Sequence, residues 1–155
     1  MMLIQGKLLS GQDNLAEVYN IRRKVFIDEM KLPEQEEFDE FDNEAIHVLV
    51  YEGMVKEKVV ATGRITIDGM RCCISHVAVL KEARGKGYGD FAVRMLIAKA
   101  FQAKIKTVYI KIRRRNIDFF EKFGFRYRKE ENLYPIIEMV LKEEWYLTGC
   151  SKKNR

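Results

Sequence analysis

The sequence predicts an α/β (α+β) fold, one mixed and mostly antiparallel sheet of six to seven strands with helices on both faces. Three observations carry this. The chain has 155 residues, 47% hydrophobic and 33% charged, with two prolines; that supports one ordinary core and excludes collagen-like, mucin-like and largely disordered chains. Its apolar spacing switches between helical and strand periods in the order strand–helix, three strands, then helix–strand–helix–strand with room for one more. No linker, repeat or low-complexity stretch interrupts it, so residues 1–155 read as a single domain whose last few residues form a tail.

After an opening strand, Leu15, Val18, Tyr19, Val25 and Phe26 recur at helical spacing between Asp13 and Glu29, with Asp13 available as the cap. Residues 28–44 then hold nine acids against one base, an acidic loop or short helix pinned down by Phe38 and Phe41. AIHVLVYEG, KVVATGRITI and RCCISHVAVL are rich in β-branched residues and separated by turns at Gly53 and at Asp68-Gly69, an antiparallel meander. KEARGKGYG follows, and Phe91, Val93, Met95, Leu96, Ala98 and Phe101 lie on a helix. TVYIKI is a buried strand, NIDFFEKF a short helix, FGFRY the start of another strand and IIEMVLKEEW a last one.

Cys72, Cys73 and Cys150 are too few and badly placed for a disulfide framework, because neighbours on a strand point to opposite faces. The first residues lack a long apolar region and a small-residue cleavage site, and no later run approaches the ~18 apolar residues of a membrane span. A cytoplasmic protein that neither enters nor binds a membrane is the expectation. The formal charge of +5 hides a division: outside residues 28–44 the chain carries +13, and residues 81–129 alone carry +11. A basic body with one acidic lip suits an anionic ligand.

The natural seat for that ligand is Arg84-Gly85-Lys86-Gly87-Tyr88-Gly89. A glycine-rich loop between strand and helix lets backbone N–H groups approach a phosphate or pyrophosphate, and the helix N-terminus adds roughly +0.5 of a charge. No Lys-Ser/Thr follows the second glycine, and the G-x-G-x-G spacing is not the dinucleotide fingerprint.

The run from Val77 to Gly89 resembles the acetyl-CoA-binding motif of the GNAT N-acetyltransferases, a hydrophobic strand followed by Arg/Gln-x-x-Gly-x-Gly/Ala. Residues 119–125, FFEKFGF, resemble the family's Phe-Tyr-Glu-Lys-x-Gly-Phe segment. Residues 21–29, IRRKVFIDE, followed by an acidic stretch and Ala45-Ile46-His47, resemble a small bacterial single-domain subgroup. The resemblance covers about residues 5–141. It implies a sheet that splays between ISHVAVL and TVYIKI, with the pantetheine arm of acetyl-CoA in the gap. It places the cosubstrate on Val77, Ala78, Val79, Arg84, Gly85, Lys86, Gly87, Tyr88 and Gly89, and extends the set to Asn116, Phe119 and Phe120. It implies no metal. The reaction it implies is attack of a neutral amine on the thioester, with a main-chain amide near Val79 as oxyanion donor.

Two departures bear on the chemistry. An ammonium has a reference pKa near 10.4, so its proton needs a base; many family members keep a carboxylate on the fourth strand, and RCCISHVAVL has none. His76 and His47 are the candidate catalytic groups, against the alternative of hydrogen-bonded structural residues. Where the family usually has a tyrosine that protonates the leaving thiolate, this chain has Phe120, which carries no proton; Tyr127 and Tyr88 are substitutes or packing residues. Arg113, Arg114 and Arg115 either meet the phosphate or adenine side of CoA or form a solvated face.

The expected function is therefore acetyl-CoA-dependent N-acetylation of a small molecule or peptide. A catalytically weak CoA-binding sensor or interaction module is the alternative that Phe120 keeps open. No recognition helix or stacking motif supports nucleic acid as a partner. The acids of residues 28–44 either draw a cationic amine acceptor or only solvate a surface loop, and a homodimer is left open.

Overall fold

The computed structural model describes residues 3–53, 58–128 and 135–147. Cys150 and the expected tail lie outside them. Six strands, β1 (Ile4–Ser10), β2 (Ile46–Glu52), β3 (Val59–Asp68), β4 (Arg71–Val79), β5 (Thr107–Arg113) and β6 (Ile136–Lys142), form a mostly antiparallel sheet in chain order. Ahead of β6, the α-helices among the described residues are α1 (Ala16–Arg22), α2 (Glu34–Glu37), α3 (Tyr88–Gln102) and α4 (Ile117–Glu121). Among the described residues no helix is long and apolar enough to cross a membrane. The backbone divides into two compact units, Met1–Thr66 with Ile74–Ala98 and Ile67–Cys73 with Lys99–Arg155.

In the first unit β1 pairs antiparallel with β2, and β2 with β3, where His47 stands opposite Arg64 and Val48 opposite Gly63. Val48, Val50, Val60, Ala61, Ile65, Ile74 and Ala78 are buried, as are Ala92, Val93, Leu96 and Ile97 on one stripe of α3. Each buried Val, Leu or Ile contributes on the order of 1.5–3 kcal/mol by leaving water, and each alanine less. A second cluster joins Leu9, Leu15, Val18, Leu49 and Tyr51.

The predicted helix over residues 13–29 is two structures. α1 stops at Arg22, and Arg23–Glu29 continues as a π-helix, with the Met30 N–H reaching back to the Val25 carbonyl at 3.0 Å. Such wide turns are rare and concentrate at functional sites. Asp13 does not cap it: its carboxylate accepts from the Ser10 N–H at 2.8 Å, and Asn14 Oδ1 accepts from the Ala16 N–H at 3.0 Å.

The acidic segment folds as α2 and a 3₁₀ turn, Glu40–Asn43. Phe38 packs edge-on against Tyr19 at 5.5 Å, but Phe41 is 54% exposed and pins nothing. Asp42 takes that role, because it reaches buried cations. In the second unit β5 and β6 pair antiparallel and bury Val108, Ile110, Ile112, Ile137, Met139 and Leu141. The strand expected at FGFRY is a single antiparallel bridge from Arg126 to Val140; Gly124, at φ 104°, turns the chain out of extended geometry just before it. β6 ends at Lys142, and residues 143–147 are helical rather than extended.

Candidate active site

The glycine loop has the geometry its sequence requires. β4 ends at Val79, the Leu80 N–H bonds the Val60 carbonyl at 2.9 Å, and a 3₁₀ turn, Lys81–Ala83, delivers the chain to Arg84. Gly85 and Gly87 then take left-handed φ values of 79° and 88°, with nothing within 4 Å of where a Cβ would stand. Backbone conformation, not space, selects glycine here. The Phe91 N–H bonds the Gly87 carbonyl at 3.0 Å at the start of α3, so the amides of Tyr88 and Gly89 lie in the first turn, where a helix has no acceptors of its own. Tyr88 gives the loop only its backbone: its ring is buried, its hydroxyl lacks a hydrogen-bond partner among the described residues, and burial raises its pKa.

A buried ionic cluster ties α1, the 3₁₀ turn Glu40–Asn43, β2 and β3 together. Arg22, 0% exposed on α1, donates from Nη1 to Asp42 Oδ1 at 2.8 Å. Arg64 on β3 donates from Nη1 to the same oxygen at 3.0 Å and to Asp39 Oδ1 at 2.7 Å. Burial works against ionising Asp39, but the Arg64 hydrogen bond and charge hold it below the usual carboxylate range. His47 is also 0% exposed: Nδ1 lies 3.3 Å from Arg22 Nη2 and Nε2 3.0 Å from the Asp42 carbonyl. Arginine can only donate and a carbonyl only accept, so the ring is the neutral Nε2–H tautomer. Burial lowers its pKa in the same sense. Both nitrogens are committed, so His47 offers no lone pair to a reactant.

His76 differs. It sits on β4 with φ 54°, a left-handed conformation that costs an L-residue on the order of 1–3 kcal/mol and is common at functional sites. Its Nδ1 lies 3.0 Å from Ser75 Oγ, which accepts from Arg64 Nε at 3.1 Å. An ionised Glu37 carboxylate can only accept, so the ring proton sits on Nε2, 3.5 Å from Glu37 Oε2, and Nδ1 is left to accept the Ser75 hydroxyl proton. Burial, with the charges of Arg64 and Arg22, lowers His76 to about 4, so the ring is neutral at pH 7. Burial raises the pKa of Glu37, with Glu36 and Asp39 acting in the same direction against Arg22 and Arg64. Glu37 on α2 thus brings a carboxylate to β4, whose own sequence has none.

Arg84 is committed as a side chain. Its Nη1 and Nη2 grip Glu29 at 2.7 and 2.6 Å, and its Nε donates to the Val79 carbonyl at 3.1 Å. His76, Glu37, Val77, Ala78, Val79 and residues 84–89 all belong to the first unit. Asn116, Phe119 and Phe120 belong to the second, where Phe120 is buried against Phe119, Phe123 and Phe125 at ring separations of 4.9, 6.2 and 5.9 Å. Cys72 is buried and its thiol pushed up to about 12, so it is inert as a nucleophile.

Sequence reasoning missed the roles of Arg22, Arg64 and Asp42 and the pairing of Glu37 with His76. Arg64 had a visible signal: a single cation inside VVATGRITI, which a buried strand tolerates only with carboxylates beside it.

The acetyltransferase (GNAT) family model matches residues 15–125. The chain is 27% identical over 128 residues to the uncharacterized N-acetyltransferase YjcF of Bacillus subtilis, a match spanning 83% of this chain and 89% of that protein. An acyl-CoA N-acyltransferase from Pseudomonas aeruginosa shares the fold with a TM-score of 0.75 at 22% identity, over 89% of this chain and 99% of that one. A GNAT family acetyltransferase from Elizabethkingia anophelis, solved with acetyl-CoA bound, does so with a TM-score of 0.68 at 16% identity, over 90% and 97%.

Proposed function

Because the chain belongs to the acetyltransferase (GNAT) family, we propose that it moves the acetyl group of acetyl-CoA to the amine of a small molecule or peptide by direct attack in a ternary complex. One observation carries this reading: a loop with two left-handed glycines opens α3 on the strand that also presents His76 to Glu37. The open Cβ positions at Gly85 and Gly87, at the N-terminus of α3, fit a pyrophosphate. The Elizabethkingia relative with acetyl-CoA bound supports the same cosubstrate.

In this reading the amides of residues 85–89 hold the pyrophosphate, the Arg84 N–H being taken by the Lys81 carbonyl at 3.4 Å, and Lys86 adds its charge. Main-chain groups of Val77 and Val79 pair with the pantetheine arm in the manner of an added strand, with Ala78 between them, and an amide near Val79 polarises the thioester carbonyl. The amine nitrogen bonds the acetyl carbon, the C–S bond breaks, and CoA leaves as the thiolate. A thiol pKa of about 8.5 makes that departure tolerable without the proton that Phe120 lacks. The proton shed by the amine passes to Glu37, whose carboxylate the neutral His76 imidazole faces at 3.5 Å. His47, closed off against Arg22 and Asp42, positions the arginine.

The test is an acceptor screen by CoA release against small amines, polyamines and peptide N-termini. Turnover with at least one of them is expected; tight CoA binding with no turnover on any would favour a CoA-binding module instead. Gly87→Ala is expected to weaken CoA binding by about five- to thirtyfold, since a left-handed alanine costs roughly 1–2 kcal/mol and the loop relaxes away from its amide-inward form. Calorimetric titration with CoA reads this directly.

A further inference from the structure

We propose that Glu29 is a positioning residue for acetyl-CoA, acting through Arg84, and that it links the π-helical segment to the cosubstrate loop. The inference rests on the reading above, in which residues 85–89 hold the pyrophosphate. By its place in the loop Arg84 is a natural phosphate ligand. Its guanidinium, however, is already spent on protein: two bonds to Glu29 and one to the Val79 carbonyl, at 2.7, 2.6 and 3.1 Å. The fork holds Glu29 below the usual carboxylate range and raises Arg84, each through their mutual hydrogen bonds first. Lys86, two residues on, has no ion-pair partner among the described residues and is left for the ligand.

The geometry gives this pair more than an ordinary surface contact. The bond to Val79 closes the chain from the end of β4 to the start of the loop into a ring, and so fixes the peptide that leads into left-handed Gly85. Glu29 fastens that ring to the last residue of the π-helix. The same π-helix carries Phe26, whose ring stands edge-on to His76 at 6.1 Å and 82°. One seven-residue element therefore touches the loop at one end and the His76 strand in its middle. A planar two-point pair with a third bond transmits orientation as well as charge, so loosening Glu29 frees the loop without removing any ligand-binding group.

Calorimetry with CoA and steady-state kinetics test this on four proteins: wild type, Glu29→Gln, Arg84→Lys and the double variant, each checked by thermal melting. Glu29→Gln is expected to weaken CoA binding and raise KM for acetyl-CoA by roughly tenfold, with the loss falling on KM rather than kcat. Arg84→Lys is expected to match it, because an ammonium cannot make the fork and reach Val79 together. The double variant should be no worse than Arg84→Lys alone. CoA affinity unchanged in Glu29→Gln, or additive losses in the double variant, would overturn the inference. A wild type that does not bind CoA overturns the functional reading and the inference with it.

Discussion

Glu37→Gln is expected to lower kcat/KM for the amine by about 10²–10⁴, the usual worth of a positioned base, and to erase the acid limb of the pH–rate profile. The carboxylate must be ionised to accept the amine's proton, so the wild-type rate falls as pH drops and Glu37 protonates. Burial, with Glu36 and Asp39, raises its pKa against the pull of Arg22 and Arg64, which places that limb above the ordinary glutamate value near 4.3. His76 faces it as a neutral donor, since its own pKa is lowered to about 4.

The stability sign separates this loss from unfolding. A carboxyl whose folded pKa is raised contributes stability below its unfolded pKa and loses it as pH rises through the folded value. At neutral pH the wild type already bears the cost of a half-buried ionised group, and the neutral amide removes it. Glu37→Gln should therefore melt no lower than wild type at pH 7 while its rate collapses. If the variant changes only KM for cationic amines and keeps the limb, Glu37 attracts the acceptor and does not take its proton. Stopped-flow or continuous thiol detection across pH, with a thermal melt at each point, decides between the two.

The parts of this site that are local in sequence were legible, and the parts made by tertiary approach were not. The loop from Arg84 to Gly89 announces itself because its glycines answer a backbone demand that no other residue meets cheaply, and the left-handed φ values of Gly85 and Gly87 express it. The meander was legible through β-branched runs and Gly53 and Gly69, both at positive φ. The π-helix was invisible, because RRKVFIDE has the apolar spacing of an α-helix and the choice between the two is set by what the segment packs against. Glu37 and His76 stand 39 positions apart, and nothing in either neighbourhood names the other. The acids of residues 28–44 looked like one solvated lip. In the structure they divide: Glu29 and Glu34 pair with Arg84 and Arg23, Asp39 and Asp42 with buried arginines, and Glu37 with a histidine.

Asp42→Ala is expected to be the most destabilising single change in the first unit, costing about 3–5 kcal/mol by urea or guanidinium unfolding. One carboxylate oxygen serves two guanidiniums, at 2.8 Å from Arg22 and 3.0 Å from Arg64. Asp39 still neutralises Arg64 when it is gone. Arg22 then has only a neutral histidine nitrogen at 3.3 Å, and its Nε is already without a partner among the described residues. Removing the counter-charge from a fully buried cation is the expensive operation, whereas removing both charges together is often neutral. Arg22→Met combined with Asp42→Leu should therefore recover more than half of the loss. Against a typical total of roughly 5–15 kcal/mol for a domain, the single variant should populate unfolded chain under mild denaturant while the double does not. The double variant will still be a poor enzyme, because Asp42 also anchors the segment that carries Glu37, and without it the carboxylate opposite His76 loses its fixed position. A single variant as stable as wild type would mean that Arg22 reaches water in solution and that the cluster holds nothing in place.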